Sequence, residues 1–215
     1  MTKTIKSITM KKFIFVIVSL FILGYHANAQ IRFGPKAGFS SSQLSQESIQ
    51  ANGVNLAIKE ANYGYHIGLF GRIKLSNHWY LQPEAVINSN SVDFVVTDFQ
   101  DGLMNKVLTE KYRNLDLPLM LGFKLGPLRA EAGPTGHVHL ASKSELGQIG
   151  GYQRHFNDFN IGYQAGFGLD LWKLMLDLRY EGNLERFGDH MSIGGQQVNF
   201  SQRPTRWVMS VGFSF

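Results

Sequence analysis

Two histidines, His137 and His139, stand two residues apart, and Ser142, Ser144 and Glu145 follow them. An imidazole that takes a proton from a serine hydroxyl, with a carboxylate to orient the ring, is the arrangement for acyl hydrolysis. The spacing argues against it here. On a strand His137 and His139 share a face, whereas Ser142 and Ser144 fall in the following loop and out of alternation with them. No acid stands at ligand spacing to complete a metal site with the two imidazoles. The expectation is polar lining, with no catalytic residue, no metal and no cofactor. Gly166-x-Gly168 lies inside a strand, lacks a third glycine and opens no helix, so it is not a dinucleotide-binding loop. The chain has no cysteine, which removes disulfides, thiolate zinc sites and cysteine nucleophiles.

The larger chemical feature is charge at alternate positions. Arg32, Lys36, Arg72, Lys74, Lys124, Arg129, Arg179 and Arg206 are cations on one face of successive strands. Glu84, Asp116, Glu131, Asp170, Asp177 and Glu181 are anions on the same face. His66, Tyr80, Gln82 and Gln164 join them. If that face is enclosed, the charges must pair, because a buried unpaired charge is costly. Glu84 and Arg129 are the expected braces. Glycines in the same rows, Gly68, Gly122, Gly133, Gly162, Gly166 and Gly168, leave room for long arginine and lysine arms.

The elements that must position these residues are strands of period two. The last, Thr205–Phe215, puts Trp207, Met209, Val211, Phe213 and Phe215 on one face. Arg206, Val208, Ser210, Gly212 and Ser214 take the other. It is as long as a tilted strand that crosses a bilayer. Seven earlier stretches repeat the pattern: Ile31–Ser40, Tyr63–Leu75, Trp79–Asn88, Tyr112–Leu125, Leu128–Ala141, Asp158–Leu171 and Leu174–Leu184. The strand from Tyr112 is the clearest, with Leu115, Leu117, Leu119, Leu121, Phe123 and Leu125 in one apolar row.

The connections alternate long and short. Ser76-Asn77-His78, Gly126-Pro127 and Trp172-Lys173 are tight turns. Polar loops near 41–62, 89–111, 142–157 and 185–204 are long. Eight strands joined this way predict an all-β fold, an eight-stranded antiparallel up-and-down transmembrane β-barrel. Both termini fall on the short-turn side, expected to be periplasmic, with the long loops facing out of the cell. Trp79, Phe123, Trp172, Phe213 and Phe215 cluster near the short turns. Phe39, Tyr65, Phe159, Tyr180 and Trp207 cluster near the long loops. These read as two interfacial girdles. A soluble lipocalin-like barrel is the alternative, with the apolar row inside. Pro83, Pro118 and Pro134 interrupt strands, where bulges or local unpairing are expected.

The N-terminus carries Lys3, Lys6, Lys11 and Lys12, then an apolar run Phe13–Leu23, then Ala27-Asn28-Ala29. This is the pattern of a secretory signal peptide, residues 1–29, with the barrel domain over 30–215. Met10 is an alternative start to Met1. The chain has 21 Lys and Arg against 16 Asp and Glu. With the signal's four lysines set aside, 17 remain against 16, so the basic balance gives no argument for nucleic acid.

Leu81-Gln82-Pro83-Glu84, Leu115-Asp116-Leu117-Pro118-Leu119, Glu131-Ala132-Gly133-Pro134, Ala165-Gly166-Phe167-Gly168-Leu169-Asp170, Asp177-Leu178-Arg179-Tyr180 and the Phe-terminated last strand resemble the PorT-like outer-membrane β-barrel family of Bacteroidetes. The resemblance covers the whole mature chain and implies an eight-stranded outer-membrane barrel. PorT itself serves type IX secretion, and nothing in these residues singles that role out. The expected protein is a monomeric, non-enzymatic barrel in contact with outer-membrane lipid. Its role is structural or loop-mediated, with envelope or secretion-machinery proteins as partners. The alternatives are a small rim-located lipid A-modifying hydrolase and a narrow pore.

Overall fold

A computed structural model describes residues 31–43, 48–51, 54–61, 63–98, 103–145, 152–154, 159–184, 191–193, 196–197 and 205–215. The segment read as a signal peptide, residues 1–29, lies outside the described residues. Eight strands form the staves: β1 Ile31–Gln43, β2 Tyr63–Lys74, β3 Trp79–Asp98, β4 Leu103–Leu125, β5 Leu128–Ser144, β6 Phe159–Leu171, β7 Leu174–Asn183 and β8 Thr205–Phe213. Each pairs antiparallel with its neighbours in sequence, and β1 pairs with β8 to close the ring. The fold is the all-β, eight-stranded up-and-down barrel that the alternation predicts. Closure leaves no open edge among the staves, which lipid would not tolerate.

The charged row is inside and the apolar row outside. Phe33, Leu69, Leu121, Phe167 and Met209 are exposed, while Lys36, Glu84, Arg129 and Arg179 are buried. This removes the soluble-barrel alternative, which needs the reverse. In β4 the outward apolar row runs from Leu115 to Leu125. At about 3.3 Å per residue and a tilt near 40°, it stands roughly 25 Å tall, the height of an outer-membrane apolar band. The aromatic residues pack at its two borders. Trp79 meets Phe123 edge-on at 5.2 Å near the short turns, and Tyr180 meets Trp207 at 5.3 Å near the long connections.

The long connections differ from the polar loops that composition predicts. β3 and β4 run on as one hairpin, Val92 pairing with Glu110 and Phe94 with Leu108. Val54–Ala61 pairs with the upper part of β3, and Ser48–Ala51 pairs in turn with Val54–Ala61. Tyr152–Arg154, Met191–Ile193 and Gln196–Gln197 form a small separate sheet from the other two long connections.

The hairpin reverses its polarity as it leaves the band. Within the band the outward row of β3 is Trp79, Leu81, Pro83, Ala85 and Ile87. Above it come Ser89, Ser91, Asp93, Val95 and Thr97, polar but for the one valine. The buried row changes from Gln82, Glu84, Val86, Asn88 and Asn90, polar but for Val86, to Val92, Phe94 and Val96. Val54, Ile58 and Leu108 are buried on the same face. Apolar side chains face lipid inside the bilayer and turn inward where water replaces lipid.

The prolines act as expected. The β2–β3 ladder skips the two positions at Gln82 and Pro83, and the β3–β4 ladder skips those at Leu117 and Pro118. The β4–β5 ladder skips those at Gly133 and Pro134, each ladder resuming in register. Proline has no N–H to give the neighbouring strand it faces, and a closed ring has a strand on either side, so the ladder opens there. Pro35 is a fourth such residue, and the β1–β8 ladder begins just after it. The bulges fall elsewhere, one of them at Arg113/Asn114.

Candidate functional site

The lumen is filled by two clusters of ion pairs that Gln164 joins, accepting from Arg179 and donating to Glu181. Arg179 on β7 reaches Glu84 on β3 through Nη2 at 2.6 Å and Nη1 at 3.1 Å, and Glu131 through Nε at 2.6 Å. Lys36 adds contacts to Glu84 at 3.1 Å and Asp177 at 2.9 Å. Arg129 pairs with Asp177 at 2.6 Å, Glu131 at 3.1 Å and Asp170 at 2.6 Å. Toward the long connections, Arg206 bridges Asp116 at 2.7 Å and Glu181 at 2.6 Å.

Neutral polar groups add to the network. Tyr80 Oη donates to Glu131 at 2.7 Å, Gln82 to Glu84 at 2.6 Å and Gln164 to Glu181 at 2.6 Å. Charge-assisted bonds of this length are strong only if both partners stay desolvated and held, as the staves hold them here. Glycines make the space. A Cβ on Gly168 would come 2.5 Å from the Arg129 guanidinium carbon, and one on Gly122 would run into the Tyr80 ring.

Of the fourteen charges expected to face inward, all six acids and six of the eight cations join this network. Arg32 and Lys74 do not; they are exposed at the short-turn end. Glu84 and Arg129 are both braces, though not of each other. They are linked through Arg179, Glu131 and Asp177.

The histidines are spent on this network. His137 Nδ1 lies 2.7 Å from Asp116 Oδ1, and its Nε2 is 3.8 Å from Glu181. His139 Nδ1 lies 3.2 Å from Asn114. Ser142 and Ser144 are in β5, not in loop, which corrects the sequence expectation. The bulge at Arg113/Asn114 shifts the register beyond His139, so Ser142 pairs with Tyr112 and Ser144 with the buried Glu110. Partners across a ladder share a face, so both serines turn to the side that His139 occupies. Glu145 accepts from the Thr109 amide at 3.0 Å.

A serine–histidine contact that the spacing did not suggest joins Ser210 Oγ and His66 Nε2 at 2.9 Å. Ser210 and His66 lie on β8 and β2, two staves apart in the ring, so no local motif signals the contact. The cavity beside it has a volume of about 20 Å³. That is room for a water molecule and not for an acyl chain. Among the described residues no three His, Asp or Glu side chains are grouped to hold a metal ion.

A closed ring, a lipid-facing apolar band between aromatic borders and a charge-paired lumen define a transmembrane β-barrel of the outer-membrane type. The chain belongs to the outer membrane protein beta-barrel domain family, whose model matches residues 26–187. Among solved structures it is similar to Ail, the attachment invasion locus protein of Yersinia pestis, in complex with the heparin analogue sucrose octasulfate. That match has 11% identity and a TM-score of 0.44, over 86% of this chain and 99% of the other. It is also similar to the outer membrane protein AlkL, solved in DMPC lipid bilayers, at 13% identity and a TM-score of 0.45, over 85% and 90%. A search of curated proteins found no match. Membership rests on the family match and on the barrel itself.

Proposed function

We infer that this barrel is a non-enzymatic outer-membrane protein that works by presenting the β3–β4 hairpin and the strands beside it to a macromolecular partner. The observation that carries this reading is the polarity reversal above Ile87. It marks a built sheet with its own apolar side, Val54, Ile58, Val92, Phe94, Val96 and Leu108, standing beyond the band. A chain that needed only to close a barrel would join β3 and β4 by a short turn. The lumen beneath is filled with ion pairs, which argues for a surface role over a pore.

On this reading residues 1–29 are a cleaved signal, both termini are periplasmic and the hairpin faces out of the cell. The protein acts as a monomer among outer-membrane lipids. The PorT-like resemblance extends the proposal to a partner in envelope maintenance or protein secretion.

The test is site-specific photocrosslinking in intact cells. A crosslinker at Asp93 or Lys111, on the outward face of the hairpin, is expected to give a discrete protein adduct. One at Leu121, in the band, is expected to give lipid adducts only. Replacing residues 92–108 by Asn-Gly should remove the adduct at Lys111 and leave a folded barrel. Identical adduct patterns at Asp93 and Leu121 would overturn the reading.

A further inference from the structure

The positive charge that the lumen network leaves over is gathered at the short-turn mouth. Arg32, Arg72, Lys74, Lys124, His78 and Trp79 are among the residues lining a cleft of about 190 Å³, and no carboxylate lines it. Arg32 sits directly across from Arg72 on β1 and β2, and Lys124 directly across from Arg129 on β4 and β5. Like charges in directly opposed positions of a sheet repel.

One carboxylate, Asp170, answers three of these cations. It lies 2.9 Å from Arg72, 2.6 Å from Lys124 and 2.6 Å from Arg129. Arg32 and Lys74 have no ion-pair partner among the described residues.

Arg72 carries the second observation. Its side chain is only 8% exposed. Nε donates to Gln82 at 2.8 Å, Nη1 donates to Asp170, and the guanidinium lies over the Tyr80 ring at 4.5 Å. Nη2 has no acceptor among the described residues. A buried guanidinium nitrogen without an acceptor is costly, so a small turn of the Arg72 guanidinium toward an anion in the cleft is favoured.

We propose that the short-turn mouth is a binding site for a phosphate group. Four cations around one cleft match a compact anion with several oxygens and up to two charges, and arginine forks are shaped for phosphate. Arg72 and Lys124 hold the inner side of the site, and Arg32 and Lys74 hold the outer side. The cleft takes a phosphate with a small substituent and is too small for a whole lipid. Trp79, at the aromatic border, brings the opening level with lipid headgroups. The phosphate is therefore borne either by an anionic lipid headgroup or by a small soluble compound.

The test uses the refolded mature chain in nanodiscs and the double variant Arg32→Gln/Lys74→Gln. Neither residue pairs in the lumen network, so the variant retains its ion pairs. Lys173→Gln, a lysine at a neighbouring short turn, is the control. Inorganic phosphate is titrated by calorimetry in phosphatidylcholine nanodiscs. Retained phosphatidylglycerol is counted by native mass spectrometry from discs containing equal phosphatidylglycerol and phosphatidylcholine. The expected result is at least tenfold weaker binding of one probe in the double variant and wild-type binding in the control. A difference with inorganic phosphate assigns a soluble ligand, and a difference with phosphatidylglycerol alone assigns the headgroup. The single variants Arg32→Gln and Lys74→Gln serve if the double variant loses heat-modifiable mobility. Equal binding by wild type and variant for both probes, or an equal loss in Lys173→Gln, overturns the proposal.

Discussion

Arg179 and Glu84 are 95 residues apart and form a two-point ion pair across the full width of the lumen. β7 and β3, which carry them, are four staves apart in a ring of eight, so they face each other directly. Each side chain is about 1% exposed. The pair joins two staves that share no ladder.

Glu84→Gln should therefore lower stability sharply, because it leaves Arg179 and Lys36 short of charge in a closed interior. The expected loss is about 3–5 kcal/mol. Urea unfolding of the refolded protein in detergent, followed by the loss of heat-modifiable gel mobility, measures it. The double replacement Glu84→Met and Lys36→Met should recover part of that loss, since it removes one charge of each sign while Arg179 keeps Glu131 and Asp177 keeps Arg129. An unchanged urea midpoint in Glu84→Gln would show that the pair braces nothing.

Gly168→Ala should also destabilise the barrel, by about 1–3 kcal/mol, the range for overpacking a filled interior. Its added Cβ meets the Arg129 guanidinium and Asp177 Oδ1 at 2.5 and 2.7 Å. Arg129→Ala in the same background makes room and should erase the extra cost of the alanine. A double-mutant cycle on urea midpoints reads the coupling, and strict additivity would sink the steric account.

Removing Phe213–Phe215 should abolish assembly. Phe213 pairs with Leu174, the Ser214 amide donates to Lys173 O at 2.8 Å, and the Phe215 amide donates to Phe33 O at 2.9 Å. These contacts tie β8 to both of its neighbours at the end where the ring closes, and an open edge has no partner in lipid. The measurement is the amount of folded, membrane-inserted protein, and wild-type levels would contradict the prediction.

The folded barrel should not conduct. A water path would require Arg179, Arg129, Arg206 and their acids to separate together, which strands several buried charges at once. Single-channel recording in planar bilayers tests this. Steady ion-selective openings of the wild type would place the narrow-pore alternative first.

His137→Ala and His139→Ala should leave lipid A unchanged in mass. His137 is held by Asp116, and Glu145 is engaged by the Thr109 amide, so the groups a hydrolase needs are occupied otherwise. A lipid A mass change that depends on the wild-type chain, and is lost in either variant, would restore the enzyme reading.

Much of the barrel is legible in the residue order. The alternation from Leu115 to Leu125 identifies a strand, and its outward leucines stand where the period puts them. The three short turns end their strands within a residue of the expected positions. The hairpin above Ile87 was missed because its polar residues read as loop, although Val92, Phe94 and Val96 keep a period of two. Ser142 and Ser144 were misplaced for a different reason. A bulge adds one residue to a strand and inverts every later side chain, and nothing in the local residue types marks Leu140 as the place.

The sequence by itself determined the number of barrel staves, the alternation of short and long connections and the membership of the charged row. All of these follow from a period of two, which is a local property of a pleated chain. Only the tertiary structure decided which row faces lipid, which acid meets which cation and where the surplus charge collects. Period two separates two faces without saying which is enclosed. Closure of the ring then brings Arg179 to Glu84 and Ser210 to His66, over distances along the chain that no spacing rule spans.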